Sequence, residues 1–320
     1  MKHQLVLGVD IGGSKVAAGV VTGAGKIVGA GRAPMNTSGG AELGMNAVHQ
    51  AIAQVYPAQY PAVAAIGIAS PGPLDLHEGL VLKSPNLPCW QNFPLRAAIE
   101  STYGLPTRLE NDANAAGLAE VLWGAANGCD SVVYVTIGTG IGTGVVIQRR
   151  IYQGQGAAAE GGHMSIRPDD PVRCGCGKPG CIEGLAAGPA IARRAQEKTL
   201  RDPGRKTAWA GPITAQSVVA AWQQGDALAT ETIEETLDLL AIWLGNIIDL
   251  LDPEVIVVGG GVGVGLIPAF PSLSSKAARW SIHSGAGKIP IRPAKYGIEA
   301  GIAGSAALWF QEEMVPAHIG

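Results

Sequence analysis

Leu5-Val6-Leu7-Gly8-Val9-Asp10-Ile11-Gly12-Gly13-Ser14-Lys15-Val16-Ala17-Ala18-Gly19-Val20-Val21 is the stretch that decides the fold. Leu5 to Asp10 reads as a buried strand, Lys15 to Val21 as a second, and Ile11 to Ser14 as the turn that joins them. A third strand, Lys26 to Gly31, follows Thr22-Gly23-Ala24-Gly25 and completes a meander. Helical spacing of apolar residues runs from Leu43 to Val55. A buried strand, Ala64 to Ala69, then ends in Ser70-Pro71-Gly72-Pro73. The second half repeats this order. Ser131 to Ile137 reads as a strand, Gly138 to Gly142 as a turn, and Thr143 to Gln148 as a strand that turns into another short one. After a long helix, Ala227 to Leu251, the strand Val255 to Val258 runs into Gly259-Gly260-Gly261. Each half thus has a glycine-turn hairpin, helices, and a strand closing on a glycine turn. Such a repeat predicts a duplicated α/β fold with a cleft between two domains. The expected domains are residues 1–115 and a larger 116–300. A final helix, Ala300 to Glu313 within the 300–320 tail, is free to return to either.

Composition narrows the function. The chain has 320 residues, 47% apolar and only 15% charged, against ~25% charged in an average domain. At ~150 residues per domain it has the length for two, and it is too apolar for a disordered tail. Gly (46) and Pro (21) together stay below the ~25–30% that marks low complexity, so the glycines are backbone chemistry. A net charge of −3 argues against a basic surface for nucleic acid or anionic membrane. The most apolar stretch, Leu237 to Val258, is broken by Asp238, Asn246, Asp249, Asp252, Pro253 and Glu254, so no membrane span of ~20 apolar residues is expected. Met1-Lys2-His3 leads straight into the first strand, leaving no apolar region of a secretory signal. A cytoplasmic protein is the expectation.

Asp10-Ile11-Gly12-Gly13-Ser14-Lys15 is the first candidate site. Glycines let a backbone approach phosphate with its N–H groups turned inward. The flanks are strand and strand, which departs from the dinucleotide fingerprint, and Ser-Lys stands where the Walker order needs Lys-Ser or Lys-Thr. An ordinary hairpin turn is the alternative. Asp10 at the strand end suits a hydrated Mg²⁺, and Ser14 or Lys15 a transferring phosphate. Gly138-Thr139-Gly140-Ile141-Gly142-Thr143-Gly144 is a second such hairpin, and Gly259-Gly260-Gly261 a third contact whose alternative is close packing at a helix start. Two phosphate-type hairpins, one per half, point to a nucleotide held between domains. Glu110-Asn111-Asp112-Ala113-Asn114 opens a small-residue helix. Its Asn and Asp read as N-caps, or as an acid kept ionised by the helix N-terminus and able to take a proton from an attacking alcohol.

His163, Cys174, Cys176 and Cys181 form the sharpest cluster. One imidazole and three thiols make a closed tetrahedral set for structural Zn²⁺, and Gly175, Gly177 and Gly180 permit the turns. Cys174 and Cys176 are too close for easy bridging, and a disulfide would leave one thiol over. Glu160 and Glu183 flank the cluster, where a metal would fix both carboxylates; solvated surface acids are the alternative.

Taken in order, Asp10 to Lys15, Glu110 to Asn114, Gly138 to Gly142, Glu160-Gly161-Gly162-His163 and Cys174-Gly175-Cys176-Gly177-Lys178-Pro179-Gly180-Cys181-Ile182-Glu183 resemble the ROK family of bacterial sugar kinases and sugar-responsive repressors. The likeness covers essentially the whole chain, and the cysteine segment joined to the Glu-x-Gly-His motif is its specific part. It implies an actin-like ATPase (ribonuclease H-like) fold and ATP-dependent phosphorylation of a hexose at the C6 hydroxyl. It implies that Asp112 is the base. Asn111, Glu160, His163 and Glu183 would bind the ring hydroxyls, with the backbone at Gly72 and Asn86 nearby. His163 would use one nitrogen for zinc and turn the other to the sugar. Asp10, Gly12, Gly13, Ser14, Lys15, Gly138, Thr139 and Gly140 would surround Mg·ATP phosphates, and Gly260 and Gly261 the adenosine.

Two positions depart from the family pattern. Ser14 replaces the usual Thr, and Thr143 stands where a third Gly often lies, so the backbone there must be ordinary β. Pro85-Asn86-Leu87-Pro88-Cys89-Trp90 looks like the glucokinase version of the sugar loop, making glucose the expected substrate. N-acetylglucosamine, N-acetylmannosamine and fructose kinases share the other motifs. A repressor is disfavoured because the family's repressors carry an N-terminal helix-turn-helix, for which a first loop beginning at residue 10 leaves no room. A polyphosphate kinase is disfavoured by the cysteine knot. A homodimer is the default for such enzymes.

Overall fold

In the computed structural model, which describes residues 4–57, 59–60, 62–209 and 211–311, the chain opens with an antiparallel meander. Its strands are β1 (Leu5–Ile11), β2 (Lys15–Thr22) and β3 (Ile27–Pro34). Helix α1 (Ala41–Ala53) covers β2 and β3 with Met45, Val48, Ala51 and Ile52. β4 (Val63–Ser70) runs parallel to β1. A small antiparallel sheet follows: β5 (Leu74–Asp75), β6 (Leu80–Lys83) and β7 (Gln91–Phe93). Then come α2 (Leu95–Tyr103), β8 (Thr107–Asn111), parallel to β4, and α3 (Asp112–Trp123). The main sheet has the order β3-β2-β1-β4-β8. Val6, Leu7, Val9, Ile66 and Ile68 are all buried, as central strands covered on both faces must be.

The second sheet begins with β9 (Ser131–Ile137), β10 (Ile141–Ile147) and β11 (Arg150–Ile151). Gln148 and Arg149 form the two-residue turn between the last two, at φ 52° and 61°. Helices α4 (Ile182–Ala186), α5 (Gly188–Arg201), α6 (Ala215–Gln223) and α7 (Ala227–Leu251) follow. Next are β12 (Val255–Gly259), α8 (Gly261–Gly265), α9 (Phe270–Ala278), β13 (Ile291–Pro293) and α10 (Ala300–Ala307). This sheet has the order β11-β10-β9-β12-β13. Position by position it repeats the first: meander or hairpin, then parallel strands. The duplication read from the glycine turns is thus present in the strand order.

α7 runs from Ala227 to Leu251, as its spacing predicts. Asp226 caps it by accepting from Ala229 N at 2.8 Å, and Leu237, Leu240, Trp243 and Leu244 bury its inner face.

The chain divides into two compact units, one of residues up to 130, 144–159 and from 298 on, the other of 131–143 and 160–297. The boundary expected at residue 115 falls inside α3. The structure keeps that helix whole in the first unit, because α10 packs along it. α10 also packs on β1 and β4 in a slot that their glycines open. A Cβ at Gly8 would lie 2.2 Å from the Ile302 carbonyl oxygen, and one at Gly67 1.8 Å from that of Ser305. The final helix, expected to reach Glu313, ends at Ala307; residues 312–320 lie outside those described. Among the described residues no helix is long and apolar enough to cross a membrane.

Candidate active site

In the first unit the parallel strands β1, β4 and β8 end level with one another. Asp10 is paired with Ala69, Ala69 with Glu110, and Ser70 with Asn111. Open α/β sheets bind ligands beyond such carboxyl ends. Past the end of β1 the chain turns, with Gly12 N–H donating to the Lys15 carbonyl at 2.9 Å. Neither Gly12 nor Gly13 has a positive φ. Gly13 is needed for room: a Cβ there would lie 2.8 Å from the Asn86 carbonyl oxygen. Asn86 therefore lies with its backbone on the first glycine turn, and the residue is exposed. Leu87 and Trp90 of that loop are core. Trp90 stacks on Phe93 at 5.0 Å and donates to the Ala41 carbonyl at 3.2 Å. The Leu and Trp of the glucokinase-like segment are anchors, and Asn86 is what they present. Gly72 is half-buried just past the end of β4.

Asn111 is the N-cap of α3, as the simpler reading of that pair had it. Its Oδ1 accepts from Ala113 N at 2.9 Å and Asn114 N at 3.3 Å, which leaves its amide Nδ2 as the end suited to a ligand. Asp112 is the first helical residue, and its Oδ1 accepts from Ala113 N at 2.8 Å. Burial raises its pKa against that bond. Burial and then the charge of Asp112 push Asp10 up to about 6, with Lys15 opposing. Asp10, Asp112 and Lys15 are thus one electrostatic group.

Two members of this site escaped the sequence reading. Glu110 is buried and accepts from Asn111 N at 2.9 Å, Asn114 Nδ2 at 3.1 Å and Gln153 Nε2, tying the head of α3 to the loop after β11. Burial raises its pKa, and these bonds hold it back. Gly301, in the first turn of α10, admits Asp10 against its backbone; a Cβ there would lie 2.1 Å from the Asp10 Cγ. A cavity of about 720 Å³ in the same unit is lined by Arg96, Arg108, Glu110 and Gln153 among others. It adjoins the site at Glu110 but includes neither Asp10 nor Asp112.

In the second unit the parallel strands β9 and β12 end together, with Thr136 paired to Gly259. Gly138 N–H donates to the Gly140 carbonyl at 2.9 Å, and Gly188 N–H to the Gly138 carbonyl at 2.8 Å. Gly260 has φ 81°, and a Cβ there would lie 2.4 Å from the Ile137 carbonyl oxygen. The two glycine loops, Gly138-Thr139-Gly140 and Gly260-Gly261, are therefore brought together. Thr143 lies in β10 without a positive φ, as a β-branched residue should.

Glu183, at the start of α4, joins the loop to the cysteine segment. Its Oε2 accepts from Ile141 N at 3.1 Å, and its Oε1 is 3.8 Å from His163 Nδ1 and 3.3 Å from Cys174 Sγ. The other ring nitrogen, His163 Nε2, lies 4.0 Å from Glu160 Oε2. Glu160, His163 and Glu183 thus form one cluster, with His163 turning a different nitrogen to each side. The donor atoms of His163, Cys174, Cys176 and Cys181 all lie within 4.8 Å of one another. A tetrahedral zinc with bonds of ~2.3 Å to sulfur and ~2.05 Å to nitrogen sets S···S near about 3.8 Å and S···N near about 3.5 Å. The Cys176–Cys181 and Cys174–His163 separations are 3.7 and 3.6 Å. The donor set fits the ion in type and in spacing.

Known proteins share this architecture. A ROK family glucokinase from Streptomyces griseus, solved in complex with glucose and AMPPNP, superposes with a TM-score of 0.82 at 34% identity, covering 95% of this chain and 98% of that one. A glucokinase of Halalkalibacterium halodurans is 30% identical over 321 residues, 98% of this chain and 97% of its own. An N-acetylmannosamine kinase of Yersinia pseudotuberculosis is 35% identical over 308 residues, 95% and 97% respectively. The fold is the two-domain actin-like ATPase fold of these structural neighbours. The ROK family profile matches residues 6–312. With that match across nearly its whole length, the chain belongs to the ROK family.

Proposed function

We propose that this protein is an ATP-dependent sugar kinase that phosphorylates the C6 hydroxyl of a hexose, glucose before others. The observation that carries the reading is Asp112 at the head of α3, beside Asp10 and Lys15 at the carboxyl end of the sheet. Asp112 takes the proton of the C6 hydroxyl as that oxygen attacks the γ-phosphorus of ATP and ADP leaves. Its raised pKa suits a base, since proton acceptance improves as pKa approaches working pH. Asn111 donates its amide to the sugar, and Glu160, His163 and Glu183 hold the remaining ring hydroxyls. Asp10, Gly12, Gly13, Ser14 and Lys15 are assigned to the ATP phosphates, as are Gly138, Thr139 and Gly140, and Gly260 and Gly261 to the adenosine. Mg²⁺ bound with ATP supplies charge neutralisation, and Asp10 is the residue to hold it through water. His163, Cys174, Cys176 and Cys181 hold a structural Zn²⁺. A cytoplasmic homodimer completes the proposal, its second half open to light scattering.

The second reading is N-acetylmannosamine as substrate. The relative of that name is 35% identical, above the 30% of the Halalkalibacterium glucokinase. ADP release from Mg·ATP with glucose, N-acetylglucosamine, N-acetylmannosamine, fructose and mannose in parallel decides. A glucose lead in kcat/KM of tenfold or more supports the first reading, and an amino-sugar lead replaces it. Turnover of none, with zinc bound and sugar binding intact, would leave a sensor without catalysis.

A further inference from the structure

The Glu160–His163 turn has no helix or strand of its own to hold it. It is a three-residue 3-10 turn, Gly161 to His163, with His163 N–H on the Glu160 carbonyl at 3.0 Å. Its far end is held at the His163 carbonyl, which accepts from Lys178 Nζ at 2.9 Å and Cys181 Sγ at 3.3 Å, and its near end by what Gly161 meets. The Gly161 N–H donates to Thr143 Oγ1 at 2.8 Å. The Gly161 carbonyl accepts from Trp243 Nε1 at 3.0 Å, and Trp243 is fully buried on α7. Two side chains from two elements therefore clasp one residue between Glu160 and His163.

Thr143 is buried and follows the second glycine loop by one residue. It replaces the glycine that often stands there, and Gly161 opposite has no side chain. The two choices fit each other. Gly161 does not have a positive φ, so its dihedrals do not require glycine. Its neighbour does: a Cβ at 161 would lie 2.7 Å from Thr143 Oγ1 and 3.2 Å from Thr143 Cγ2. Gly162 repeats the contact, its Cβ position 1.8 Å from the Ile141 carbonyl oxygen. The turn thus lies flat on the first three residues of β10, and the Thr143 hydroxyl fixes its register.

We propose that Thr143 and Gly161 are a matched pair, and that Thr143 is a positioning residue that holds Glu160 and His163 in place for the sugar. The role rests on the sugar-kinase reading above; the pairing itself does not. Thr143→Val keeps the shape and the methyl group but removes the acceptor, leaving the Gly161 N–H unpaired. Thr143→Ser keeps the acceptor. The expected result for Thr143→Val is a sugar KM raised about tenfold, with ATP KM within about twofold and zinc content unchanged. Amide exchange at Gly161, read without any ligand, should quicken by about tenfold. Thr143→Ser should restore both to within about twofold. Gly161→Ala should raise sugar KM alone, and Thr143→Gly combined with it should recover part of the loss, because the added methyl then has room.

An unchanged sugar KM and Gly161 exchange in Thr143→Val would overturn the proposal, as would a Thr143→Ser variant impaired equally. If no sugar is phosphorylated even by the native chain, the kinase reading fails and the positioning role with it. Exchange at Gly161 then still decides whether the pairing exists.

Discussion

Burial raises the cost of ionising both Asp10 and Asp112, and the Asp112 charge adds to it at Asp10, which gives two separable expectations. Asp112→Asn removes the proton acceptor while keeping size and the helix start. It should lower kcat by ~10²–10⁴ with sugar Kd mostly kept, read by steady-state kinetics and calorimetric titration. Near-normal turnover would remove Asp112 from its role. Asp10 acts on stability instead. Its pKa is pushed up to about 6 from an ordinary 3.8, so the folded chain holds this proton more tightly than the unfolded one. A raised carboxylate stabilises the fold below its unfolded pKa, and that stability is lost as pH rises through the folded one. The Asp10 contribution should therefore fall between about pH 4 and 6, by on the order of 1–3 kcal/mol. Asp10→Asn removes that dependence. Relative to the native chain its urea midpoint should climb through this range and then stay higher at pH 7–8, while phosphoryl transfer is lost. An equal midpoint difference at pH 4 and pH 7 would show that burial at Asp10 is not felt by the fold.

The α10 slot is the element whose origin is hardest to see in the sequence. Gly8 and Gly67 read as small residues in apolar strands, and the helix they admit lies at the other end of the chain. Gly67→Ala would drive a methyl into the Ser305 carbonyl, which belongs to a helix backbone and cannot give way as a side chain can. A loss of ~3 kcal/mol or more is expected by denaturant titration, at the upper end for overpacking. The opposite change is available at the β10–β11 turn. Gln148, exposed, and Arg149, half-buried, both hold positive φ at this hairpin, a conformation that favours Asn and Gly. Gln148→Asn with Arg149→Gly should add ~1 kcal/mol, measured the same way, without altering kcat.

These elements also show what was legible. The β1–β3 meander and α7 have unbroken patterns and a visible cap, so they can be read directly. The small β5–β7 sheet has strands of two to four residues, too short for a period to declare itself. The site divides in the same way. Its glycine loops, acids and cysteines are local clusters. The residues that place them meet across 18 positions for Thr143 and Gly161, and 43 for Glu110 and Gln153, where no local pattern exists.

The molecule rests unevenly on burial, and the cysteine segment is one of its sparsely buried parts. From Met164 to Cys181 only Cys174, Gly180 and Cys181 are buried, while the sheet cores have long runs of fully buried Val, Ile and Leu. At ~25 cal/mol per Å² of apolar surface, so little burial offsets only a small part of the cost of ordering that segment. The zinc proposed above would add to the loop hydrogen bonds there, and its removal should act locally. Chelation should speed amide exchange over residues 164–183 and at Ile141, whose N–H depends on Glu183. Sugar KM should rise, while exchange in β1, β2 and α1 stays as it was. Zinc affinity should also rise with pH. Burial, with the Cys176 thiol and the Glu183 carboxylate beside it, pushes Cys174 up to about 12, so a proton must leave that sulfur before it can ligate. Burial raises the Cys181 thiol as well, so protons released per zinc bound, measured in weak buffer at pH 7, should exceed one. Release of none, or an unaltered exchange map after chelation, would mean that the loop bonds alone support the segment and that the cluster holds no ion.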